Sequence, residues 1–248
     1  MSAPPIEAVD LHRRFHQGST EINAVAGVNF TATAGEFVAI MGPSGSGKST
    51  LLHLLGALDK PDSGTVLLEG REVSALPDHE LAVIRRRRLG FLLQFFSLLP
   101  TMNVLENVAF PLELDGAANA KDRAREALKA VGLQDRLDHR PAVLSGGEQQ
   151  RAALARALVA KPAVVLADEP TGSLDSTSSL EVLDLLKETA QAGQTIVIVT
   201  HDPTAATYAE RVFHLIDGQL QNSADHQLVG IADSAHADRT ARPAVRQD

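Results

Sequence analysis

The sequence predicts an α/β fold built around a mainly parallel sheet, and two features of the 248-residue chain indicate it. The first is a set of short apolar runs without alternation: FVAIM (37–41), AVVLA (163–167) and TIVIVT (195–200). Such runs suit strands that are buried on both faces, as in a parallel sheet. The second feature is the helical patterning between the runs, because strands that alternate with helices are typical of parallel α/β folds.

Helix and turn signals divide the chain further. Apolar residues recur at helical spacing in STLLHLLGAL, from Ser49 to Leu58, in AREALKAVGL (124–133) and in SSLEVLDLLKETAQAG (178–193). Gly193 is a plausible C-terminal stop of the last helix. DKPDSG (59–64) predicts a turn, and Asp217-Gly218 predicts a hairpin turn. Residues 222–248 lack sustained periodicity, so we expect a polar, mobile tail there.

Composition excludes several classes of protein. The net charge is −8, from 23 basic and 31 acidic residues, which argues against a globally basic nucleic-acid binder. The chain has no cysteine, so it has no disulfide and no thiolate site. No apolar run approaches the ~18 residues of a membrane span, and the N-terminus lacks the apolar region of a signal peptide. We therefore expect a cytoplasmic protein that meets a membrane only through a partner.

The segment GPSGSGKS matches G-x-x-x-x-G-K-[ST] between an apolar strand and a helix. Glycines allow backbone N–H groups to surround a polyphosphate at the positive end of a helix. An ordinary Gly/Ser loop is the alternative, and the filled positions and correct flanks disfavour it. Lys48 is predicted to reach the β- and γ-phosphates, and the Ser49 hydroxyl to bind Mg²⁺. The ATP-binding residues predicted here are Gly42, Pro43, Ser44, Gly45, Ser46, Gly47, Lys48, Ser49 and Thr50.

Acidic residues end the second apolar run, in AVVLADEP. Asp168 is predicted to hold Mg²⁺, and Glu169 to polarise the water that attacks the γ-phosphate. In isolation, a strand that ends in an acidic turn is the simpler interpretation; beside a phosphate loop it becomes the minor one. His201 follows the third run directly. Because it leaves a buried strand at the same sheet edge, we expect it to contact the γ-phosphate rather than to be structural.

A second glycine loop opens the segment LSGGEQQRAALARAL. Ser145 and Glu148 form the S-x-x-E pattern of a capping box, which explains both residues structurally. Gly146 and Gly147 gain little as cap residues, and glycine costs a helix roughly 0.5–1 kcal/mol relative to alanine. This cost indicates that something approaches the backbone closely. The chain therefore carries two phosphate-binding devices, about a hundred residues apart.

Taken together, these motifs resemble the ATP-binding subunit of an ABC transporter. GPSGSGKST, Gln94, LSGGEQQR, VVLADEP, SLD (173–175) and TH (200–201) stand in that family's order, over about residues 6–220. The resemblance implies a P-loop NTPase core with a mainly parallel sheet, a small antiparallel β subdomain and an inserted helical subdomain at about 95–160. It implies one ABC ATPase domain over 1–221, followed by the tail.

The resemblance also implies ATP hydrolysis with Mg²⁺ and a head-to-tail homodimer in the ATP-bound state. Gln94 would sense Mg²⁺ and the γ-phosphate, Asp175 would link the two sites, and Phe15 would stack on adenine. The signature residues that would bind the partner's ATP in trans are Ser145, Gly146, Gly147 and Glu148. Two positions depart from the family pattern. Tyrosine is commoner than Phe15, and glutamine is commoner than Glu148, which puts a γ-phosphate contact by that side chain in doubt.

More narrowly, the sequence resembles the lipoprotein-releasing and macrolide-exporting group of ABC ATPases. The segments that carry this resemblance are LGFLLQFFSLLPTMNVLENVAFPLEL and ADEPTGSLD. Members work with permeases that have few membrane spans and a large extracytoplasmic domain, and some pass mechanical force across the membrane. The resemblance places the chain on the inner face of the cell membrane. It does not indicate the cargo, the direction of transport or the identity of the permease.

The segment RRRRLGFLLQFFSLLP (85–100) leaves several interpretations open: a nucleic-acid patch, a membrane foot, a buried strand or a docking surface. The resemblance places Phe95, Phe96, Leu98 and Leu99 at the permease interface, and we expect a mixture of core and groove residues. The arginines are expected to form a solvated helix end, with contact to anionic lipid as an alternative. A nucleic-acid role is disfavoured because no aromatic residues interleave with them.

Two other functions remain as alternatives to an ATPase that drives a membrane transporter. The first is a soluble ABC ATPase that acts on nucleic acid or ribosomes. Only about a hundred residues, without sustained heptads, separate the two glycine loops, whereas DNA-repair members insert long coiled coils there. The second is a P-loop kinase or GTPase, which the LSGGEQQR segment disfavours.

Overall fold

The computed structural model describes residues 3–18 and 20–222. Of the predicted tail, 222–248, only Asn222 is among these residues. The prediction of a mobile tail therefore lies outside the described residues. No helix in the described ranges has the length and apolar content needed to cross a bilayer. The helices are α1 (Lys48–Leu55), α2 (Asp78–Arg88), α3 (Val104–Glu113), α4 (Ala120–Ala130), α5 (Gly146–Leu158), α6 (Ser176–Gln191) and α7 (Pro203–Ala206).

A six-stranded sheet forms the centre of the molecule, in the order β10-β9-β3-β8-β7-β6. All its strand pairs are parallel except β9 with β10, which form the predicted hairpin. In that hairpin turn, Asp217 and Gly218 have φ of 48° and 75°, the signs that a type I′ turn requires. The strands are β3 (Phe37–Met41), β6 (Leu89–Leu92), β7 (Val164–Asp168), β8 (Thr195–Thr200), β9 (Arg211–Ile216) and β10 (Gln219–Asn222).

The three apolar runs of the sequence are the adjacent strands β3, β8 and β7. Every residue of β8 is buried, as expected for a central strand with both faces covered. A smaller antiparallel sheet has the order β2-β1-β4-β5. Its strands are β1 (Ile6–Gln17), β2 (Thr20–Ala32), β4 (Ser63–Leu68) and β5 (Arg71–Glu72). The predicted fold class, a parallel α/β core with a small antiparallel sheet and added helices, is confirmed.

The predicted extent of the first helix is wrong at its C-terminal end. α1 ends at Leu55, Ala57 has φ of 50°, and Leu58 is 47% exposed instead of lying on the buried helical face. The reason is a tertiary contact at Gly56, where a Cβ would lie 2.5 Å from the Phe91 ring. The chain passes close to β6 at this glycine and then leaves the helical path.

Three apolar clusters stabilise the fold. One lies between the two sheets and includes α1, and the second lies on the other face of the larger sheet, against α6. The third joins α3, α4 and α5, and its buried residues lie within the range predicted for the helical subdomain. Successive alanines of α5 belong to different clusters, with Ala153 in the second and Ala152 and Ala155 in the third. α5 is therefore shared between the helical segment and the sheet core.

The arginine run Arg85–Arg88 forms the last turn of α2, and each arginine has a partner. The first donates from Nη1 to the Ala57 carbonyl at 2.8 Å. The second and third both bind the Asp115 carboxylate, with closest N–O distances of 2.6 and 2.7 Å. The fourth pairs with Glu69. The run therefore lies at a partly exposed helix end, as expected, but its side chains also connect α2 to three neighbouring segments. The next residues, 89–92, are strand β6.

Candidate active site

The glycine loop between β3 and α1 packs closely on two other strands. Gly47 has φ of 100°, and a Cβ there would lie 1.9 Å from the Ala24 carbonyl oxygen of β2. A Cβ on Gly42 would lie 2.3 Å from the Leu215 carbonyl oxygen of β9. Both distances are shorter than any real contact, so only glycine fits at either position.

Two buried side chains of the same loop have donors suited to anionic oxygens. Lys48 is buried, and its Nζ donates to the carbonyls of Gly42 at 2.8 Å and Pro43 at 2.9 Å. The Oγ of Ser46 is buried and has no hydrogen-bond partner. Ionised and orphaned polar groups are costly to bury without a ligand or partner, so this loop fits a polyphosphate.

Ser49 and Asp168 meet across the sheet edge, as the motif positions predict. Ser49 Oγ donates to Asp168 Oδ1 at 3.1 Å. Burial raises the pKa of the Asp168 carboxyl, and the hydrogen bond from Ser49 opposes that change. A hydroxyl and a carboxylate are hard oxygen ligands of the kind that Mg²⁺ prefers. The pair therefore fits a magnesium ion bound beside the phosphate loop.

Glu169 is fixed by its backbone and by both carboxylate oxygens. It has φ of 44°, and its backbone N–H donates to the Val199 carbonyl at 2.9 Å. Its Oε2 accepts a hydrogen bond from Thr200 Oγ1 at 3.0 Å, and its Oε1 lies 2.8 Å from His201 Nδ1. Non-glycine residues in this left-handed region cluster at functional sites. Glu169 and His201, predicted separately, are thus direct neighbours.

Thr200 is a site residue that the sequence analysis did not select. It is fully buried, donates to Glu169, and accepts from the Asp202 backbone N–H at 3.0 Å. In the sequence it belongs to the TH segment (200–201), but only His201 of that pair was given a role.

Gln94 lies beside the turn that follows Glu169. A Cβ on Gly172 of that turn would lie 3.2 Å from Gln94 Nε2. The Gly172 N–H donates to the Glu169 carbonyl at 3.0 Å, so the turn is tight. β6 and β7 are paired neighbours, which explains how the end of β6 brings Gln94 to the acidic residues.

Phe15 is 41% exposed on β1, and its ring has an apolar cross-strand neighbour in Ile22, also 41% exposed. The Arg13 guanidinium lies 5.0 Å from the centroid of the Phe15 ring. The contact of Ala24 with the phosphate loop places this hairpin beside the site. Ile22 was not selected from the sequence, because an exposed isoleucine in a strand carries no signal of its own.

The signature loop has the predicted capping box. Ser145 Oγ accepts from the Glu148 N–H at 3.2 Å, and Glu148 Oε2 accepts from the Ser145 N–H at 2.9 Å. The other carboxylate oxygen of Glu148 binds Arg136 Nε at 2.9 Å. The backbone N–H of Ser145, with help from Arg136, holds the pKa of Glu148 below its usual range. This side chain is fully engaged within its own chain.

The close approach inferred at the two signature glycines comes from the same chain. A Cβ on Gly147 would lie 2.8 Å from Ser178 Oγ of α6, and one on Gly146 would lie 3.3 Å from Leu174. Packing of α5 against the start of α6 is therefore a sufficient reason for glycine at position 147.

Asp175 is the N-cap residue of α6. Its Oδ1 accepts from the N–H groups of Thr177 and Ser178 at 3.1 and 3.0 Å, and its Oδ2 accepts from Ser178 Oγ at 2.8 Å. These bonds give Asp175 a local structural role in addition to the predicted role between subunits.

The predicted docking residues separate into exposed and packed positions. Phe95 is 79% exposed and Leu99 is 37% exposed, whereas Phe96 is half-buried beside Gly146. Leu98 packs against both the second and the third apolar clusters. Leu98 is partly buried and therefore belongs to the core part of the expected mixture.

Arg156 of α5 holds the backbone of this segment. Its Nη1 donates to the Ser97 carbonyl at 2.7 Å and its Nη2 to the Phe96 carbonyl at 3.2 Å. Both carbonyls belong to residues with positive φ, 51° and 56°. Burial lowers the pKa of Arg156. No local motif marks this arginine, because its partners lie about sixty residues earlier in the chain.

Comparison with known proteins identifies the family. The family described as "ABC transporter" matches residues 25–172. The chain belongs to the ABC transporter family. An "uncharacterized ABC transporter ATP-binding protein" of Thermotoga maritima is 47% identical to this cassette over 218 residues, covering 87% of this chain and 93% of that protein.

A longer relative and a solved structure agree with this assignment. The macrolide export ATP-binding/permease protein MacB of Chlorobium luteolum is 50% identical over 218 residues, covering 88% of this cassette. The match spans 33% of that protein's length. The dimeric ATP-binding cassette MJ0796, solved with ADP and Pi, is 40% identical with a TM-score of 0.80, covering 88% of this cassette and 98% of that chain. The predicted family, fold and ATPase class are confirmed.

Proposed function

We propose that this ABC ATPase works as an ATP-dependent homodimer that drives a membrane permease. The observation that carries the proposal is the carboxylate of Glu169, held by Thr200 and His201 at the sheet edge that also bears the Ser49–Asp168 pair. A fixed carboxylate beside a phosphate loop suits hydrolysis, because orientation of water and electrostatic stabilisation supply most of the catalysis in phosphoryl transfer.

In the proposed ground state, the loop from Gly42 to Thr50 surrounds the triphosphate with backbone N–H groups. Lys48 exchanges its carbonyl partners for β- and γ-phosphate oxygens. Phe15, with Ile22 beside it, supplies an apolar surface for adenine. Ser49 and Asp168, with Gln94 as the third predicted ligand, would hold Mg²⁺, which would neutralise phosphate charge when bound.

In the proposed reaction, Glu169 orients a water molecule toward the γ-phosphorus and takes up its proton at a carboxylate oxygen. Thr200 and His201 keep that carboxylate from rotating away from the water. The His201 side chain is 64% exposed, which leaves it accessible for the predicted γ-phosphate contact. The left-handed backbone of Glu169 sets the direction in which its side chain leaves β7.

The second subunit completes each site in the proposed dimer. The Ser145 hydroxyl and the N–H groups of Gly146 and Gly147 lie at the start of α5, where the helix dipole favours an anion. The engagement of Glu148 by Arg136 makes that carboxylate a positioning group for the loop rather than a phosphate ligand. Asp175 keeps the adjoining segment in place, and we assign it the link between the two sites. The structural neighbour described as dimeric supports this assembly.

The proposed partner is an integral-membrane permease with a large extracytoplasmic domain, reached from the cytoplasmic face. The relative MacB is described as an ATP-binding/permease protein, and this chain matches about a third of its length. Phe95 and Leu99 provide exposed apolar contacts for such a partner. No feature of the described chain favours the nucleic-acid alternative, since the arginine run is engaged with protein groups.

A mixing experiment tests the shared site. Lys48→Ala and Ser145→Arg should each inactivate both sites of a homodimer. A mixture of the two chains should regain activity, because a heterodimer has one intact site and one doubly altered site. Steady-state phosphate release is the measurement, with each variant alone as the control. Full activity of the wild type at dilutions where it is monomeric would contradict the proposal.

A further inference from the structure

We propose that Gln150 is a positioning residue that ties the signature helix α5 to the turn carrying Glu169. The inference rests on the proposed function, because Glu169 is the carboxylate being positioned. Gln150 lies five residues after Ser145, on the buried side of α5.

The contact is direct and short. Gln150 is fully buried, and its Nε2 donates to the Pro170 carbonyl at 2.6 Å. Pro170 follows Glu169 in the chain and has no N–H, so its carbonyl is its only polar backbone group. Since that oxygen only accepts, the amide nitrogen of Gln150 must be the group that faces it.

The other end of the same amide is unpaired. Gln150 Oε1 is buried and has no hydrogen-bond partner. The other fully buried side-chain amide among residues 3–18 and 20–222, that of Asn107, is fully used. Its oxygen accepts from the Leu99 N–H, and its nitrogen lies within bonding distance of three carbonyls.

An orphaned buried acceptor destabilises a folded chain, so Oε1 of Gln150 costs stability while Nε2 satisfies the Pro170 carbonyl. Methionine, which has a similar length, would remove the orphaned oxygen but would leave the buried Pro170 carbonyl without its donor, so the two effects on stability oppose each other. The bond that Gln150 does make is to the backbone next to the catalytic carboxylate, and we infer its role from that bond.

The turn after β7 is arranged to transmit this contact. Glu169 has positive φ, its carbonyl accepts from the Gly172 N–H, and the Thr171 carbonyl accepts from the Leu174 N–H at 3.1 Å. Because these hydrogen bonds lie within the turn, we expect a displacement of Pro170 to move the whole turn, including Glu169. α5 begins with the loop proposed to bind the partner's ATP, so a shift of that helix reaches Glu169 through Gln150.

The test compares Gln150→Met with a matched variant, Gln194→Met. Gln194 makes the same kind of bond, from Nε2 to the Pro162 carbonyl at 3.1 Å, with a second contact to the Thr195 carbonyl. It lies at the opposite edge of the sheet, before β8. Both variants are measured for melting temperature, for ATP KM and kcat, and for hydrogen exchange of residues 169–174 without nucleotide.

We expect Gln150→Met to melt close to the wild-type temperature, to keep its ATP KM within twofold, and to lose at least tenfold in kcat. Its amides at 171–174 should exchange faster. Gln194→Met should leave kcat and that exchange unchanged. A merely structural Gln150 would instead leave kcat intact, whatever the change in melting temperature.

Wild-type kcat and wild-type exchange in Gln150→Met would overturn the inference, as would an equal loss of kcat in Gln194→Met. If the wild type hydrolyses no ATP, the proposed function fails by itself. The exchange comparison then still decides the inference, because it needs neither nucleotide nor turnover: faster exchange supports the tie to Pro170, and unchanged exchange overturns it.

Discussion

At the scale of single residues, Glu169 is the side chain whose chemistry the site depends on. Glu169→Gln keeps the length of the side chain and leaves the phosphate loop and Asp168 intact, but it removes the proton acceptor. We expect ATP binding to remain and turnover to fall by roughly 10²–10⁴-fold, the usual contribution of general-base catalysis. Phosphate release and equilibrium nucleotide binding, measured on the same sample, check this prediction.

The exposed Glu126 on α4 offers a control, because Glu126→Gln makes the same chemical change far from the predicted nucleotide site. That variant should turn over like the wild type. Hydrolysis by Glu169→Gln at the wild-type rate would show that another group activates the water.

Glu148 gives the site a pH dependence of stability. The Ser145 N–H and then Arg136 lower the pKa of its carboxyl, so Glu148 stabilises the folded chain above its unfolded pKa of about 4.3. That stabilisation is lost as pH falls through the lower folded pKa. Glu148→Gln keeps an acceptor for the Ser145 N–H but loses the charge, and it should cost roughly 0.2–1 kcal/mol at pH 7.

Thermal unfolding of both chains across pH checks this prediction. The stability gap between wild type and Glu148→Gln should be constant from pH 7 to about 5, and should close below about pH 4.3. A gap that persists to pH 3 would mean that the charge of Glu148 is not its cause.

At the scale of elements, α5 connects the signature loop with the segment after Gln94. Arg156 is the contact, because it donates to two carbonyls whose residues have left-handed backbones. Arg156→Met retains much of the apolar stem but leaves those carbonyls without a charged donor, which should cost roughly 1–3 kcal/mol. Hydrogen exchange of residues 93–99 should rise, and Arg156→Lys should restore part of the protection. Unchanged exchange in Arg156→Met would exclude this role.

The elements themselves were largely predictable, for identifiable reasons. β3, β7 and β8 are continuous apolar runs, and burial on both faces leaves few other structures for such runs. The end of α1 was not predictable from its leucines, since the close passage of Gly56 by Phe91 is a tertiary contact. The ion pairs of the arginine run were likewise not predictable, because Asp115 and Glu69 come close to the arginines only in the folded chain.

The same distinction applies to the site. Lys48, Asp168 and Glu169 belong to local motifs, and their residue types indicate phosphate binding, metal binding and general-base catalysis. Thr200 and Gln150 lie within the TH and LSGGEQQR segments, but the sequence did not indicate their roles, because each acts by a hydrogen bond to a residue that folding brings near. Positions of this kind are found by asking where each buried polar group has its partner.

At the scale of the whole molecule, the ATPase must transmit its motion to another protein. The segment after Gln94 has an exposed phenylalanine and a partly buried leucine, so we assign docking to the first and packing to the second. Phe95 is 79% exposed, whereas Leu98 lies between two apolar clusters. A surface that transmits work need not contribute to nucleotide binding, and the two functions should therefore separate by mutation.

Phe95→Asp tests this separation, with Leu98→Asp as its matched control three residues away. Phe95→Asp should keep the wild-type melting temperature and ATP affinity. In a pull-down from detergent-solubilised membranes, the variant should retain less permease than the wild type. A buried aromatic anchor at an interface contributes 2 kcal/mol or more, so the affinity should fall roughly thirtyfold. Leu98→Asp should instead lower the melting temperature, because a charge placed between apolar clusters has no partner. Undiminished recovery by a folded Phe95→Asp chain would show that the permease docks elsewhere.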